Sequence, residues 1–151
     1  MSQFCYSCDM SPEYKKFIAV LKASNNSLTA ARRELFNLLS TSEPLTINEI
    51  ITTLESTIDR ASIYRNVSLF EELNISKRLS IGWKYKIELS DEYSHHHHHF
   101  TCNDCLQTMV LGDDPILEQN INSLIKNEGL TMTEHQLEIR GLCKSCQLNH
   151  A

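Results

Sequence analysis

The sequence lacks several things, and each absence closes off a class of protein. No apolar run approaches the roughly 20 residues that a membrane-spanning helix needs. No signal-peptide pattern precedes the first helix-like segment, so the expected compartment is the cytoplasm, where thiols stay reduced. Positive charge is not in excess: the formal net charge is −5, and any nucleic-acid surface must come from basic groups focused on one face. At 151 residues there is room for one or two small domains and a modest core, but not for a large enzyme fold. Neither a Ser/His/Asp set nor a Cys/His nucleophile pairing stands out, so the expectation is a non-enzyme. The hydrophobic fraction of 41% and charged fraction of 22% are those of an ordinary soluble protein.

What the chain does have is a concentration of metal-ligand chemistry. Ser94 is followed by His95, His96, His97, His98 and His99, then Phe100, Thr101, Cys102, Asn103, Asp104 and Cys105, which puts seven potential ligands into eleven consecutive positions. Five consecutive histidines resemble a purification tag, but a tag sits at a terminus and does not run on into a Cys-x-x-Cys pair. A second pair, Cys143 and Cys146, stands near the C-terminus with His135 ahead of it, and a third, Cys5 and Cys8, near the N-terminus. Six cysteines in three such pairs favour metal over disulfides in a reducing compartment. Residues 1–90 carry 11 Lys+Arg against 10 Asp+Glu, and residues 91–151 carry 3 against 9. The acidic second half is therefore not the DNA-facing one, and bound divalent cations would offset part of its charge.

The pattern of caps and periodicities predicts the elements in order. Residues 1–12 form a short polar arm. Ser11 followed by Pro12 opens a first helix with Phe17, Ile18 and Leu21 on its apolar side. Thr29 caps a second helix holding Leu35, Phe36, Leu38 and Leu39. Thr46 and Glu49 form a capping box for a third, reaching about Ser56. Asp59 caps a fourth over residues 60–73, with Ile63, Val67 and Phe70 buried. Two alternating runs, 77–81 and 84–89, flank Gly82-Trp83 as a hairpin. Helices followed by a hairpin predict a winged helix-turn-helix. Ser90–Ser94 is read as a hinge, residues 100–111 as strand, cysteine knuckle and strand, 115–127 as a helix ended by Gly129, and 130–141 as a strand. The second half is too small to cover its own apolar faces, so a dimer is expected.

Taken together, Thr29-Ala-Ala-Arg32, Leu45-Thr-Ile-Asn-Glu49, Ala61-Ser-Ile-Tyr-Arg65, the histidine run into Cys102-x-x-Cys105, and His135 through Gly141 to Cys143-x-x-Cys146 resemble the ferric uptake regulator family of bacterial metal-responsive repressors. The resemblance spans about residues 13–147. It implies an α+β chain: a winged-helix DNA-binding domain at 1–90, including the arm, and an α/β metal-binding dimerisation domain at 91–151. It further implies a homodimer that represses metal-homeostasis genes by binding palindromic operator DNA when metal is bound.

Cys102, Cys105, Cys143 and Cys146 offer the four thiolates that structural Zn2+ requires, although Leu106 stands where the family usually has glycine. In an extended strand the histidines alternate in direction, so one run can feed two sites. By resemblance, His97 and His99 join Glu88 in the sensing site, while His96 and His98 join Glu118 and His135 in a second. Imidazole with carboxylate suits Fe2+ or Zn2+, and also Mn2+ or Ni2+. The family's sensing site often takes a further histidine from just before the third helix, where this chain has Pro44. Cys5 and Cys8 are either added thiolate ligands that would favour zinc, or part of an arm that binds nothing tightly. Tyr64 and Arg65 match the family's Tyr-Arg pair on the recognition helix, with Arg32 implied as a phosphate anchor and Lys15 or Lys16, Lys77, Arg78, Lys84 and Lys86 as further basic groups. Glu118 stands where peroxide-sensing members typically have Asp, which argues against that alternative. Metal storage without DNA binding is the other alternative, and it would not need a winged helix.

Overall fold

The computed structural model describes residues 11–81, 84–94, 96–133 and 135–149. The arm with Cys5 and Cys8, the hairpin tip Gly82-Trp83 and His95 lie outside the described residues. The chain divides into two compact units, Met1–His95 and His96–Ala151. No helix among the described residues is long and apolar enough to cross a membrane.

The first unit is built from α1 (Pro12–Ala23), α2 (Ala30–Thr41), α3 (Ile47–Leu54), α4 (Arg60–Glu72), β1 (Ser76–Ile81) and β2 (Lys84–Leu89). Every helix starts at a side-chain cap. Ser11, Thr29, Thr46 and Asp59 accept from Tyr14, Arg32, Glu49 and Ser62 backbone N–H groups, satisfying donors that the helix leaves open. At Thr46 the Glu49 carboxylate also accepts from the Thr46 backbone N–H at 2.6 Å, completing the capping box. The apolar stripes meet in one core. Phe17 stacks on Phe36 with centroids 4.2 Å apart and meets Phe70 edge-on at 5.4 Å. Leu21, Leu35, Ile50, Ile63, Ile75 and Ile87 are fully buried around them.

β1 and β2 pair antiparallel, and an isolated bridge joins Leu45 to Ile87. Four short helices followed by this hairpin give the winged-helix arrangement, with α4 leading into β1. The stretch read as a hinge is packed rather than loose. Ser90 N–H donates to the Ile75 carbonyl and its hydroxyl to that of Asn74, and Tyr93 is buried edge-on against Phe36 at 5.9 Å.

The second unit contains β3 (His98–Cys102), β4 (Thr108–Leu111), α5 (Pro115–Asn127), β5 (Glu138–Gly141) and α6 (Lys144–Asn149). β3 is central, antiparallel to β4 and parallel to β5. Asp114 caps α5, and Gly129 follows the helix end at φ +69°, a left-handed position that glycine adopts without strain. One reading needs correction. The strand expected over 130–141 pairs only at Glu138–Gly141, because β3 offers partners only from His99 to Cys102. Residues upstream instead carry His135 to Glu118. The short α6 was not foreseen.

Candidate metal centre

Four thiols meet at one end of the central strand. Cys102 closes β3, and its register partner across the parallel pair is Gly141, so the second cysteine pair begins beside the first. The knuckle turns back through Leu106, whose φ of +59° is left-handed and strained for a residue with a side chain. Its N–H donates to the Cys102 carbonyl at 3.0 Å, while Cys102 N–H donates to the Gln107 carbonyl at 2.9 Å. On the other side, Cys143 and Cys146 stand three residues apart across the first turn of α6. The four sulfurs lie within 4.8 Å of one another, and Cys105 Sγ is 3.8 Å from Cys143 Sγ. Four thiolates held about 2.3 Å from a tetrahedral Zn2+ stand about 3.8 Å apart, so this donor set fits zinc.

Electrostatics agrees with the geometry. The Cys143 backbone N–H, 3.4 Å from Cys102 Sγ, and the Cys105 N–H behind it hold the Cys102 thiol down at about 6. The Cys143 thiol is also lowered, chiefly by the Ser145 hydroxyl at 3.2 Å. Contact with Cys143, with burial added, pushes Cys146 up to about 12, and Cys105 is raised as well. Two of the thiols, Cys102 and Cys143, are thus lowered, and the other two are raised. A divalent cation is what would let all four ionise.

A second constellation lies along the sheet. Glu118 of α5 points one oxygen at three imidazoles: His98 Nε2 at 2.9 Å, His135 Nε2 at 3.2 Å and His96 Nε2 at 3.5 Å. His96 Nε2 and His135 Nε2 are 3.2 Å apart. Ligands about 2.0–2.1 Å from a tetrahedral ion would stand about 3.3–3.4 Å apart, so the spacing is that of a coordination shell. Burial pushes the Glu118 carboxyl up, but the charge of His135 and the hydrogen bond from His98 outweigh it, and the net shift is downward. His98 is buried. Its Nδ1 has no hydrogen-bond partner among the described residues, leaving Nε2 as the nitrogen engaged.

His97 and His99 belong to the same unit and face each other, with centroids 4.8 Å apart. The alternation read from the sequence thus separates His96 and His98 from His97 and His99, although β3 proper begins only at His98. Glu88 belongs to the first unit. It is buried near the end of β2, opposite Lys77 of β1. Pro44 is buried at the position where a further histidine was expected.

On α4, Tyr64 is 47% exposed. Arg65 is also exposed and donates to the Ser62 hydroxyl at 2.9 Å. Arg32 is already engaged. It donates to Asn66 Oδ1 at 3.2 Å, to Asn26 Oδ1 at 3.1 Å and to the Ser27 carbonyl, fastening the start of α2 to α4. Other basic groups are similarly occupied. Lys16 pairs with Glu92, and Arg78 with Glu71 while lying over the Tyr85 ring. The asparagines that hold Arg32 were missed, and no sequence signal pairs Asn26 with Asn66. Lys77 opposite Glu88 was missed too, although the hairpin register alone would have found it.

The geometry is therefore a winged helix followed by a small unit carrying a four-thiol cluster and a His3Glu cluster. Known proteins resemble this chain. The model of the ferric uptake regulator family matches residues 23–140. The ferric uptake regulation protein of Synechococcus elongatus is 30% identical over 139 residues, covering 85% of this chain and 94% of that protein. The peroxide-responsive repressor PerR of Staphylococcus aureus is 28% identical over 144 residues, covering 89% and 92%. The fold matches the ferric uptake regulator Fur of Helicobacter pylori, a protein with three functional metal-binding sites, at a TM-score of 0.75 and 21% identity over 89% of this chain and 91% of that one. With the winged helix, both ligand clusters and these relatives in agreement, the chain belongs to the ferric uptake regulator family.

Proposed function

We propose that this chain is a metal-responsive transcriptional repressor that binds palindromic operator DNA as a homodimer, and that bound metal fixes its DNA-binding arrangement. The observation that carries this reading is the pair of ligand clusters, four thiols and three imidazoles with a carboxylate, in a chain whose other unit is a winged helix. In this reading Cys102, Cys105, Cys143 and Cys146 hold a structural Zn2+ that ties the end of β3 to the C-terminal segment. Closed by four thiolates, such a site has no open position for substrate, which fits a regulator rather than a hydrolase. His97 and His99 with Glu88 form the sensing site for Fe2+ or Zn2+, and His96, His98, Glu118 and His135 a second site. Because Glu88 belongs to the first unit and the histidines to the second, a cation shared among them would couple the two. A few kcal/mol of preference for the DNA-competent state shifts its population a hundredfold or more.

Tyr64 and Arg65 are the proposed base and backbone readers, with Arg32 bracing the recognition helix from α2. A second copy is the proposed cover for exposed Ile116, Leu124 and Ile139 of the second unit, which are 71%, 64% and 45% accessible in the single chain. The cytoplasm, where DNA and reduced thiols are both found, is the proposed location. The peroxide-responsive relative supports a second reading, in which iron bound at the histidines reports oxidant. Glu118 in the α5 position argues for metal sensing instead.

The deciding experiment is a shift of promoter fragments titrated with Fe2+ and Zn2+ at several salt concentrations. Metal-dependent, salt-sensitive binding is expected. His97→Ala with His99→Ala should abolish the metal dependence while leaving a folded dimer. Binding that no metal induces would sink the repressor reading. Loss of binding only after peroxide treatment of the iron form would favour the oxidant sensor.

A further inference from the structure

Glu88 faces a cation across the hairpin. The hairpin register pairs Lys77 of β1 directly with Glu88 of β2, and directly opposed residues share one face of the sheet. Across the other edge of β2, Leu45 makes an isolated antiparallel bridge to Ile87, with Pro44 just before Leu45 and Glu88 just after Ile87 in the chain. Proline carries no donor atom in its side chain. The residue opposite Glu88 in the hairpin is a cation. Lys77 Nζ lies 3.3 Å from Glu88 Oε1 and 2.6 Å from Asp91 Oδ1. The Glu88 side chain is 7% exposed and that of Lys77 33%, so the pair is largely withdrawn from solvent, where an uncompensated carboxylate is costly.

We propose that Lys77 is a competitor built into the sensing site: it neutralises Glu88 in the metal-free chain, yields Glu88 to the arriving cation, and so sets how much free metal the repressor needs. The proposal rests on the reading of Glu88 as a metal ligand and concerns only groups within the first unit. Asp91 makes the exchange possible. As a second carboxylate already bonded to the ammonium, it keeps Lys77 paired after Glu88 turns to the metal. The exchange replaces one positive charge on Glu88 by a divalent one, and the buried carboxylate is compensated in both states. An opposite charge within about 4–6 Å changes a carboxylate's affinity for a proton by about one to three decades. Competition with a metal follows the same electrostatics, and the retained pairing with Asp91 places it at the lower end.

The test uses the full chain with its four-thiolate site loaded with zinc, and Mn2+ as the probe. Mn2+ is the weakest binder of the divalent series and does not displace zinc from thiolates. Affinity is measured by competition with a fluorescent chelator, without DNA. Lys77→Met should tighten Mn2+ binding about tenfold, and Lys77→Arg should stay within about twofold of the parent. Asp91→Asn should weaken it, because Lys77 is left with Glu88 as its carboxylate. Glu88→Gln should weaken Mn2+ binding and erase the gain from Lys77→Met. With zinc in the four-thiolate site and no Mn2+ added, Lys77→Met should lower the melting temperature of the first unit, since Glu88 then loses the Lys77 ammonium. If Lys77→Met leaves Mn2+ affinity unchanged or reduces it while Glu88→Gln weakens binding, the competitor role is overturned and Glu88 remains a ligand. If Glu88→Gln leaves Mn2+ affinity unchanged, Glu88 is not a ligand, and the reading beneath the proposal fails with it.

Discussion

The two units hold themselves together by different means. The first buries aromatic and branched side chains from four helices and a hairpin, with Phe17, Leu21, Ile50, Phe70, Ile75 and Ile87 at zero exposure. The second has an amphipathic helix, α5, with no buried residue in the single chain. Its buried groups are polar or ligating: His98, His99, Thr101, Thr108, Cys102 and Cys143. A unit with so few apolar contacts cannot offset the conformational entropy lost on folding by burial alone. Coordination and a second copy are the proposed remainder. On the proposed reading, metal is part of the second unit's fold before it is a signal, while the first unit owes its order to ordinary hydrophobic packing.

The largest effect should come from removing the thiolates. Cys143→Ser is expected to release zinc and lose the dimer, since structural zinc contributes about 10–16 kcal/mol in small zinc-dependent folds. Metal analysis with sedimentation would check this, and a zinc-bound dimer from this variant would refute the four-thiolate assignment. In the other unit, Phe17→Ala should cost about 3–5 kcal/mol, seen as a lower melting temperature with zinc content unchanged. A loss of zinc alongside it would mean that the two units are not stabilised independently.

Finer changes sharpen the contrast. A Cβ on Gly141 would stand 3.2 Å from the Phe100 ring, so Gly141→Ala should cost about 1–3 kcal/mol by overpacking, confined to the second unit in a two-transition melt. Thr46→Ala removes the α3 cap and should cost about 1 kcal/mol in the first unit. Its partner gives the smallest, pH-dependent effect. Burial pushes the Glu49 carboxyl up, but the Thr46 backbone N–H and hydroxyl outweigh it, leaving a net lowered pKa. A group lowered in the folded state contributes stability above its ordinary value of 4.5 and loses it as pH falls through the lowered one. The first unit should therefore weaken on acidification below about 4.5, and less so in Thr46→Ala; equal acid sensitivity in the two proteins would show that the cap carboxylate is not the group responsible.

Sequence legibility divides along the same line. The four helices of the first unit could be read because each begins with a hydroxyl or carboxylate cap at Ser11, Thr29, Thr46 or Asp59 and continues with an apolar stripe. The four thiols could be read from the Cys-x-x-Cys spacing and the sorting of the histidines from strand alternation, but their partners Glu88, Glu118 and His135 came only from the family resemblance. The length of β5 could not, since what ends it is the extent of β3 beside it. Six-residue α6 is too short for periodicity to register, yet it sets the separation of Cys143 and Cys146. The hydrogen bonds that occupy Arg32 join residues 34 and 6 positions away and depend on helix packing that no local pattern encodes.

The most direct measurement is hydrogen exchange on the zinc-loaded chain before and after chelation. The amides of β3, β4 and β5 should lose protection together when zinc is withdrawn, while those of α1 to α4 keep theirs. Protection in the second unit that survives complete removal of zinc, or protection in the first unit that vanishes with it, would contradict the account.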